Sequence, residues 1–333
     1  MNKNQKEKWK DFKRRNQQSG GYLLKKVIAN KAYKLIRAIL LFGLCFLILQ
    51  PIFNKISLSF MQEKDLYDPT IIVIPRNFTT GNYKLVNSLI GYWKSLKNSL
   101  GVSVMSSLLQ VTFCTLVGYG FARFQFPLKR FWFACVLLVI IVPPQTIMSS
   151  LYLNFRFFDF FGVLKATTGK TMNLQNSMIP YILLCMTCMG LKSGLYIFLI
   201  RQYFRGVPKE LEEAAYVDGC GNFSTFVRIM LPDATPILTS CFLFAFVWQW
   251  TDSFYSKMFL GKISLLSNKL TAITGLLTDY LTAINGTGTK PSIAYGQMMI
   301  STGMIMAIIP LLLIYIVAQK GFVESLSQTG IKM

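Results

Sequence analysis

Few residues in this chain could do chemistry, and their types narrow what that chemistry is. Histidine does not occur among the 333 residues, which removes the commonest general base and the commonest zinc ligand. Cys185 and Cys188 have the spacing of a redox or metal motif, but they lie in an apolar run without further ligands and read as a packing pair. The remaining cysteines sit in apolar runs too, apart from Cys220 in a polar segment, so none is placed for an external disulfide. No metal or cofactor site is read. Trp248, Asp252 and Tyr255 recur at i, i+4 and i+7, which on one continuous helix sets a carboxylate between two aromatic rings. Such a face suits a sugar, whose C–H faces stack on rings while its hydroxyls donate to the acid. The other reading, and the preferred one, is an aromatic belt at a membrane boundary with Asp252 making a conformational hydrogen bond. Lys192 is the other charge set clearly within an apolar run, where desolvation makes any charge a functional candidate. The depths of Lys192 and Asp252 differ by roughly 12 Å at the helical rise, so they are read as separate and not as an ion pair.

The elements that must position these residues are long and apolar. Hydrophobic residues make up 53% of the chain and charged ones 15%, and the apolar residues are gathered into runs instead of being spread at helix or strand period. Six runs reach the roughly 20 residues a span needs: about 38–60, 99–121, 131–151, 178–200, 236–256 and 293–318. This predicts an all-α polytopic membrane protein. The first run is read as an uncleaved span kinked at Pro51, because no small-residue cleavage site follows it.

Charge sets the orientation. Lys and Arg total 35 against 14 acids, a net of +21; 12 of those bases fall in residues 1–37, opposed only by Glu7 and Asp11. A basic tail beside a span is held on the cytoplasmic side and attracted to anionic lipid. It lacks the aromatic platforms and Gly-rich loops of a nucleic-acid site, so nucleic acid is not expected as a partner. An even number of spans then puts both termini in the cytoplasm. The expected organisation is a basic tail over 1–37, a membrane domain over 38–318 with a cytoplasmic loop at 201–235, and a cytoplasmic tail over 319–333. Regions 61–98, 152–177 and 257–292 become external, the last a flexible surface loop rich in Gly, Ser, Thr and Asn.

Residues 201–236 read as a helical hairpin. Pro208 suits a first helical turn, with Glu210, Glu212 and Glu213 where the helix dipole favours acids. Ala214 and Ala215 offer a low-profile face that another protein can approach closely. Gly219 and Gly221 end or bend that helix, and a second, amphipathic helix begins near Asn222–Ser224 with Phe223, Phe226, Val227 and Met230 on one side. Pro232 and Pro236 close the loop.

Glu213-Ala214-Ala215, three residues, Gly219, nine residues and Ile229-x-Leu231-Pro232 resemble the signature loop of the permease subunits of binding-protein-dependent ABC importers. The segments Val73–Thr79 with Asn82-Tyr83, Tyr119–Phe124, and Gly321-Phe322-Val323 with Gly330-Ile331-Lys332 resemble the carbohydrate branch of that family, specifically its MalG-like partner. The resemblance implies a type I importer permease fold and a hairpin that seats on an ATPase through Glu213, Ala214, Ala215, Asp218, Gly219, Phe226, Ile229, Leu231 and Pro232. It also implies a second homologous permease, an external sugar-binding protein that part of 257–292 reaches, and a sugar as solute. The chain lacks a Gly-x-x-x-x-Gly-Lys-Ser/Thr phosphate loop, so hydrolysis of ATP falls to the partner and the chain itself is not an enzyme. The plainer reading of the hairpin is a solvated connector between spans.

Rival readings are an importer permease for a non-sugar solute, a single-chain ion-coupled carrier and a membrane-embedded hydrolase. A carrier should show paired intramembrane acids or internal repeats, and a hydrolase should show a base for its nucleophile. The sequence has neither.

Overall fold

The computed structural model describes residues 14–160 and 162–330. The far end of the basic tail and the Ile331-Lys332 part of the C-terminal motif therefore lie outside the described residues. Helices dominate; among the described residues the only β-pairings are two isolated bridges, Met61 with Phe78 and Phe158 with Met172. Three helices are long and apolar enough to cross a membrane by themselves: α1 (Tyr22–Phe60), α2 (Tyr92–Arg123) and the Ile293–Gln319 part of the last helix. The first runs through Pro51 as one helix, and most of the basic tail's inner half is continuous with it.

The third expected span, 131–151, is not straight. It splits into α3 (Lys129–Ile141) and α4 (Met148–Arg156), with a bend of 99° at the break. Pro143-Pro144 causes it: the ring of a proline forces the preceding residue out of helical geometry, and Val142 and Pro143 are extended accordingly. The fourth, 178–200, breaks into α5 (Ile179–Met186) and α6 (Ser193–Gly206). Cys188 and Lys192 take left-handed backbone angles in the gap. Irregular backbone is tolerable at membrane depth only when protein groups satisfy it; Gln110 of α2 does so, its amide donating to the Leu191 carbonyl at 2.6 Å and to Ser193 Oγ at 2.8 Å.

After the short helix α7 (Glu210–Val217) the chain reaches α8 (Thr235–Thr251), α9 (Phe254–Phe259), α10 (Leu266–Thr271) and α11 (Ile273–Asn285), and it ends in α12 (Ile293–Gly330). The region 257–292 is thus mainly helical, correcting the expectation of a flexible loop. Leu266, Leu270, Ile273 and Leu277 recur at three- and four-residue spacing and make an apolar stripe, and Leu266, Ile273 and Leu277 are buried against the α1 end, α8 and α12. The expected tail at 319–333 is likewise a continuation of α12 as far as Gly330.

Helix α2 is the centre of the bundle, packing on α5, α6, α8 and α10. Its buried face is small or polar: Ser95, Ser99, Ser103, Ser107, Cys114 and Gly118 lie along it. Small residues at near-four spacing let helix backbones approach. A β-carbon at Gly118 would sit 2.8 Å from the Ile200 side chain of α6, and one at Gly194 would sit 2.9 Å from the Val136 carbonyl of α3. At its start, α2 is tied to the segment before α10, with Asn98 donating to the Ser264 carbonyl at 3.0 Å and the Leu266 N–H donating to Ser99 Oγ at 2.8 Å.

The segment 61–83 is held by its own side chains. Asp65 accepts from the Asn77 N–H at 2.8 Å and from its side-chain amide at 2.7 Å, and these bonds, the backbone one foremost, hold its carboxyl below the usual range. Asn82 donates to the Ser59 and Met61 carbonyls, and Phe78 stacks on Phe60. The Val73–Tyr83 motif is accordingly a structural clasp around the end of α1.

Candidate functional site

The hairpin forms where the sequence expects it. Glu210, Glu212 and Glu213 occupy the first turn of α7, complementing its dipole. The helix ends at Gly219, whose φ is +80°, and the N–H groups of Gly219 and Cys220 donate back to the Tyr216 and Ala215 carbonyls at 3.0 and 2.9 Å. That is the paired closure of a helix end by a left-handed residue, a conformation open to glycine and strained for residues with a β-carbon. Gly221 then starts a second helical stretch over Asn222–Thr225, a wider turn over Phe226–Met230, and Leu231–Asp233. This stretch meets α8 at 74°, so it lies across the end of the bundle.

Two expectations about its faces are corrected. Phe223, Phe226, Val227 and Met230 do not share one side: Phe226 and Met230 are buried, whereas Phe223 and Val227 are exposed. The wide turn between Phe226 and Met230 supplies the inward pair, which packs against Tyr119, Phe204 and Ile237. Ala214 is exposed but Ala215 is only 3% exposed; its small size is required inside this chain and not on an outer face. Glu213, Asp218, Gly219 and Pro232 are exposed, and Ile229 and Leu231 are half-buried.

The residue that fixes the hairpin is Glu212, which composition and spacing marked only as one of three early acids. It is buried, accepts from the Tyr119 hydroxyl at 2.7 Å, and pairs with Arg123 at 3.1 Å, the two side chains being about equally hidden. Arg123 also donates to the Val207 carbonyl at 2.9 Å. The last turn of α2, Tyr119–Arg123, thereby grips both the entry to the hairpin and its first helix. Tyr203 makes a third tie by donating to the Asp233 carbonyl at 2.6 Å. Outward the hairpin presents both apolar side chains, Val217 at 87% and Phe223 at 76% exposure with Leu211 and Val227 also exposed, and charged ones, Glu210, Glu213, Asp218 and Arg228.

The Trp248, Asp252, Tyr255 face does not exist as one face. The helix ends at Thr251, Asp252 is extended, and Tyr255 belongs to the next helix. Asp252 is the cause: its carboxylate accepts from the N–H groups of Phe254, Tyr255 and Ser256 at 2.9–3.2 Å and from the Tyr181 hydroxyl at 2.9 Å. A short acidic side chain that captures the first N–H groups of a helix stops the preceding helix there. Asp252 and Tyr255 are buried; Trp248 is half exposed, and the Lys192 ammonium lies 5.0 Å from its ring centre. The gap between α5 and α6 releases Lys192 to make this cation–π contact. Cys188 donates its N–H to the Cys185 carbonyl at 3.2 Å and its sulfur lies 3.9 Å from that of Cys114, and no metal-ligating cluster occurs among the described residues.

Comparison with known proteins agrees with this anatomy. Residues 114–320 match the family described as the binding-protein-dependent transport system inner membrane component. The arabinooligosaccharides transport system permease protein AraQ of Halalkalibacterium halodurans is 27% identical over 292 residues, spanning 87% of this chain and 93% of that protein. The alpha-glucoside transport system permease protein AglG of Rhizobium meliloti is 29% identical over 259 residues, and the match spans 78% of this chain but only 61% of that relative's length. A chain of a bacterial ABC transporter involved in the import of the acidic polysaccharide alginate has the same fold, with a TM-score of 0.67 at 19% identity over 88% of this chain and 97% of its own. The matched region contains the hairpin, its grip on α2 and every helix from α3 to α11, and the chain belongs to the family of binding-protein-dependent transport system inner membrane components.

Proposed function

We propose that this chain is a membrane permease subunit of an ATP-driven sugar importer, forming half of the translocation path with a second, homologous permease. The hairpin at 201–235 lies in the cytoplasm with both termini and docks on a separate ATPase subunit; an extracytoplasmic sugar-binding protein delivers the solute from the other side. The observation that carries the reading is the construction of the hairpin. Glu212 is turned inward onto Tyr119 and Arg123 while Val217 and Phe223 are turned outward, an arrangement that spends buried polar contacts on fixing the position of a surface carrying large exposed apolar side chains. A solvated connector would need neither. The sugar as solute rests on what the similar permeases are named for. Along the path, Trp248 with Lys192 above it is the part of the expected trio that keeps an exposed ring.

The test is copurification. The tagged chain, extracted in mild detergent, is expected to bring an ATPase subunit with it, and Val217→Asp with Phe223→Asp is expected to cut the ATPase recovered at least about tenfold while membrane-inserted protein stays at the wild-type level. The isolated chain, free of the ATPase, should not hydrolyse ATP. Undiminished recovery of the ATPase with the double variant would return the hairpin to the status of a connector.

A further inference from the structure

Beside the hairpin, a cleft of about 1050 Å³ opens between the end of α2, the start of α3 and the end of α6. Six cationic side chains line it, Arg123, Lys129, Arg130, Arg201, Arg205 and Lys209, and none of its lining residues is acidic. Arg123 is committed to Glu212, and Lys129 donates to the Phe124 carbonyl at 2.7 Å. Arg130, Arg205 and Lys209 form no ion pair among the described residues. The Arg201 guanidinium carbon lies 3.8 Å from the Phe133 ring centre, and its Nε is buried without a hydrogen-bond acceptor. Like charges held this closely repel, and a buried guanidinium N–H without an acceptor is costly, so the arrangement calls for an anion. The start of α3 adds to it: Lys129 N–H donates to the Phe126 carbonyl and Trp132 N–H to the Leu128 carbonyl, while the N–H groups of Arg130 and Phe131, at the positive end of the helix dipole, favour negative charge.

We propose that this cleft binds the phosphate of an anionic phospholipid. The apolar surroundings select lipid over soluble phosphate. Leu128 and Phe131 line the cleft and are exposed, and no residue of α3 is buried within the chain, leaving Leu138 and Ile141 exposed farther along the same helix. A phospholipid headgroup seated among the cations would lay its glycerol against Phe131 and its acyl chains along α3, at the level where aromatic residues gather at a membrane surface. Basic pockets between membrane helices on the cytoplasmic side suit such headgroups. The side of the membrane rests on the orientation proposed above; the charge and shape of the cleft do not. A bound lipid here would sit against Arg123 and Lys209, on either side of the hairpin's entry, so membrane charge would bear on the hairpin's position.

The experiment uses the chain with its copurifying subunits, delipidated in detergent and supplied with equal phosphatidylglycerol and phosphatidylcholine, the retained lipid being counted by native mass spectrometry. The expected result is preferential retention of phosphatidylglycerol by the wild type and at least about a tenfold loss of it in Arg130→Gln/Arg201→Gln/Arg205→Gln, since each cation near an anionic surface contributes substantially. Lys25→Gln/Lys26→Gln/Lys31→Gln, which removes the same charge from α1, should keep the lipid. Arg130→Lys/Arg201→Lys/Arg205→Lys, charge-conserving, guards against a folding defect and should retain most of it. Equal retention of the two lipids by the wild type would overturn the proposal, as would unchanged retention in the triple Gln variant. Displacement of the lipid by millimolar inorganic phosphate would reassign the cleft to a soluble anion. Loss of a companion subunit from the triple Gln variant, with lipid retention unchanged, would reassign it to an acidic segment of that subunit. Either result leaves the ATPase-docking role of the hairpin standing, because its own test uses Val217 and Phe223.

Discussion

Removing the Glu212 carboxylate would leave the Arg123 guanidinium and the Tyr119 hydroxyl hidden without their acceptor. Breaking a buried pair from one side costs about 3–5 kcal/mol, whereas replacing both partners with apolar groups can be nearly neutral. Glu212→Ala is therefore expected to lower the thermal stability of the detergent-purified chain markedly, and Arg123→Met/Glu212→Leu to recover much of the loss; a differential scanning measurement on both distinguishes them. Gly219 makes a separate case. Nothing lies within 4 Å of the place its β-carbon would take, so Gly219→Val acts by backbone strain of about 1–2 kcal/mol, and Gly219→Asn, which tolerates the left-handed region, should be milder. Any deficit in ATPase copurification larger than this strain explains reports contact with the partner. Ala215→Trp, by contrast, collides inside its own chain and should reduce the amount of folded protein, not only docking.

At the scale of elements, the closeness of α3 and α6 makes a clear test. A β-carbon at Gly194 would meet backbone, the Val136 carbonyl at 2.9 Å, which cannot swing away as a side-chain tip can. Gly194→Ala is expected to cost about 1–3 kcal/mol, while Gly101→Ala on α2, facing open space, should be neutral or slightly stabilising in the same melting assay. The clasp at 61–83 carries a pH dependence. Because folding lowers the Asp65 pKa, its contribution is full above the unfolded value of about 3.9 and is lost as pH falls through the lowered one. Protection of the Asn77 amide from hydrogen exchange, corrected for intrinsic rate, should hold through neutral pH and fall only below about pH 4. Asp65→Asn should flatten that profile. What was legible in the sequence follows the same logic. Pro208, the early acids and Gly219 are local signals, so the hairpin's outline could be read. The break at Pro143-Pro144 was legible too but was overridden by the length of the apolar run. Asp252 was counted as one position of a helical face when its type and the Ser253 beside it are helix-start chemistry. The Glu212 contact with Tyr119 spans 93 positions, and no local pattern announces a partner at that distance.

For the whole molecule, composition alone was enough to establish a helical membrane protein, since apolar runs of span length need no tertiary information. The gap between α5 and α6 was not legible, because Gln110 on one helix is what makes it tolerable on another. The same holds for the basic cleft, whose six cations come from the separate stretches 123–130 and 201–209. The hairpin's grip at Tyr119 and Arg123, and the bonds of Asn98 and Ser99 to the segment before α10, are borne by one unbroken helix. They are about 30–37 Å apart at the helical rise. A rigid rod of that length turns a tilt of about 5° at one end into a displacement of about 3 Å at the other. Residues 264–266 should therefore register a shove on the hairpin directly, as the far arm of a lever, with no chain of rearrangements in between.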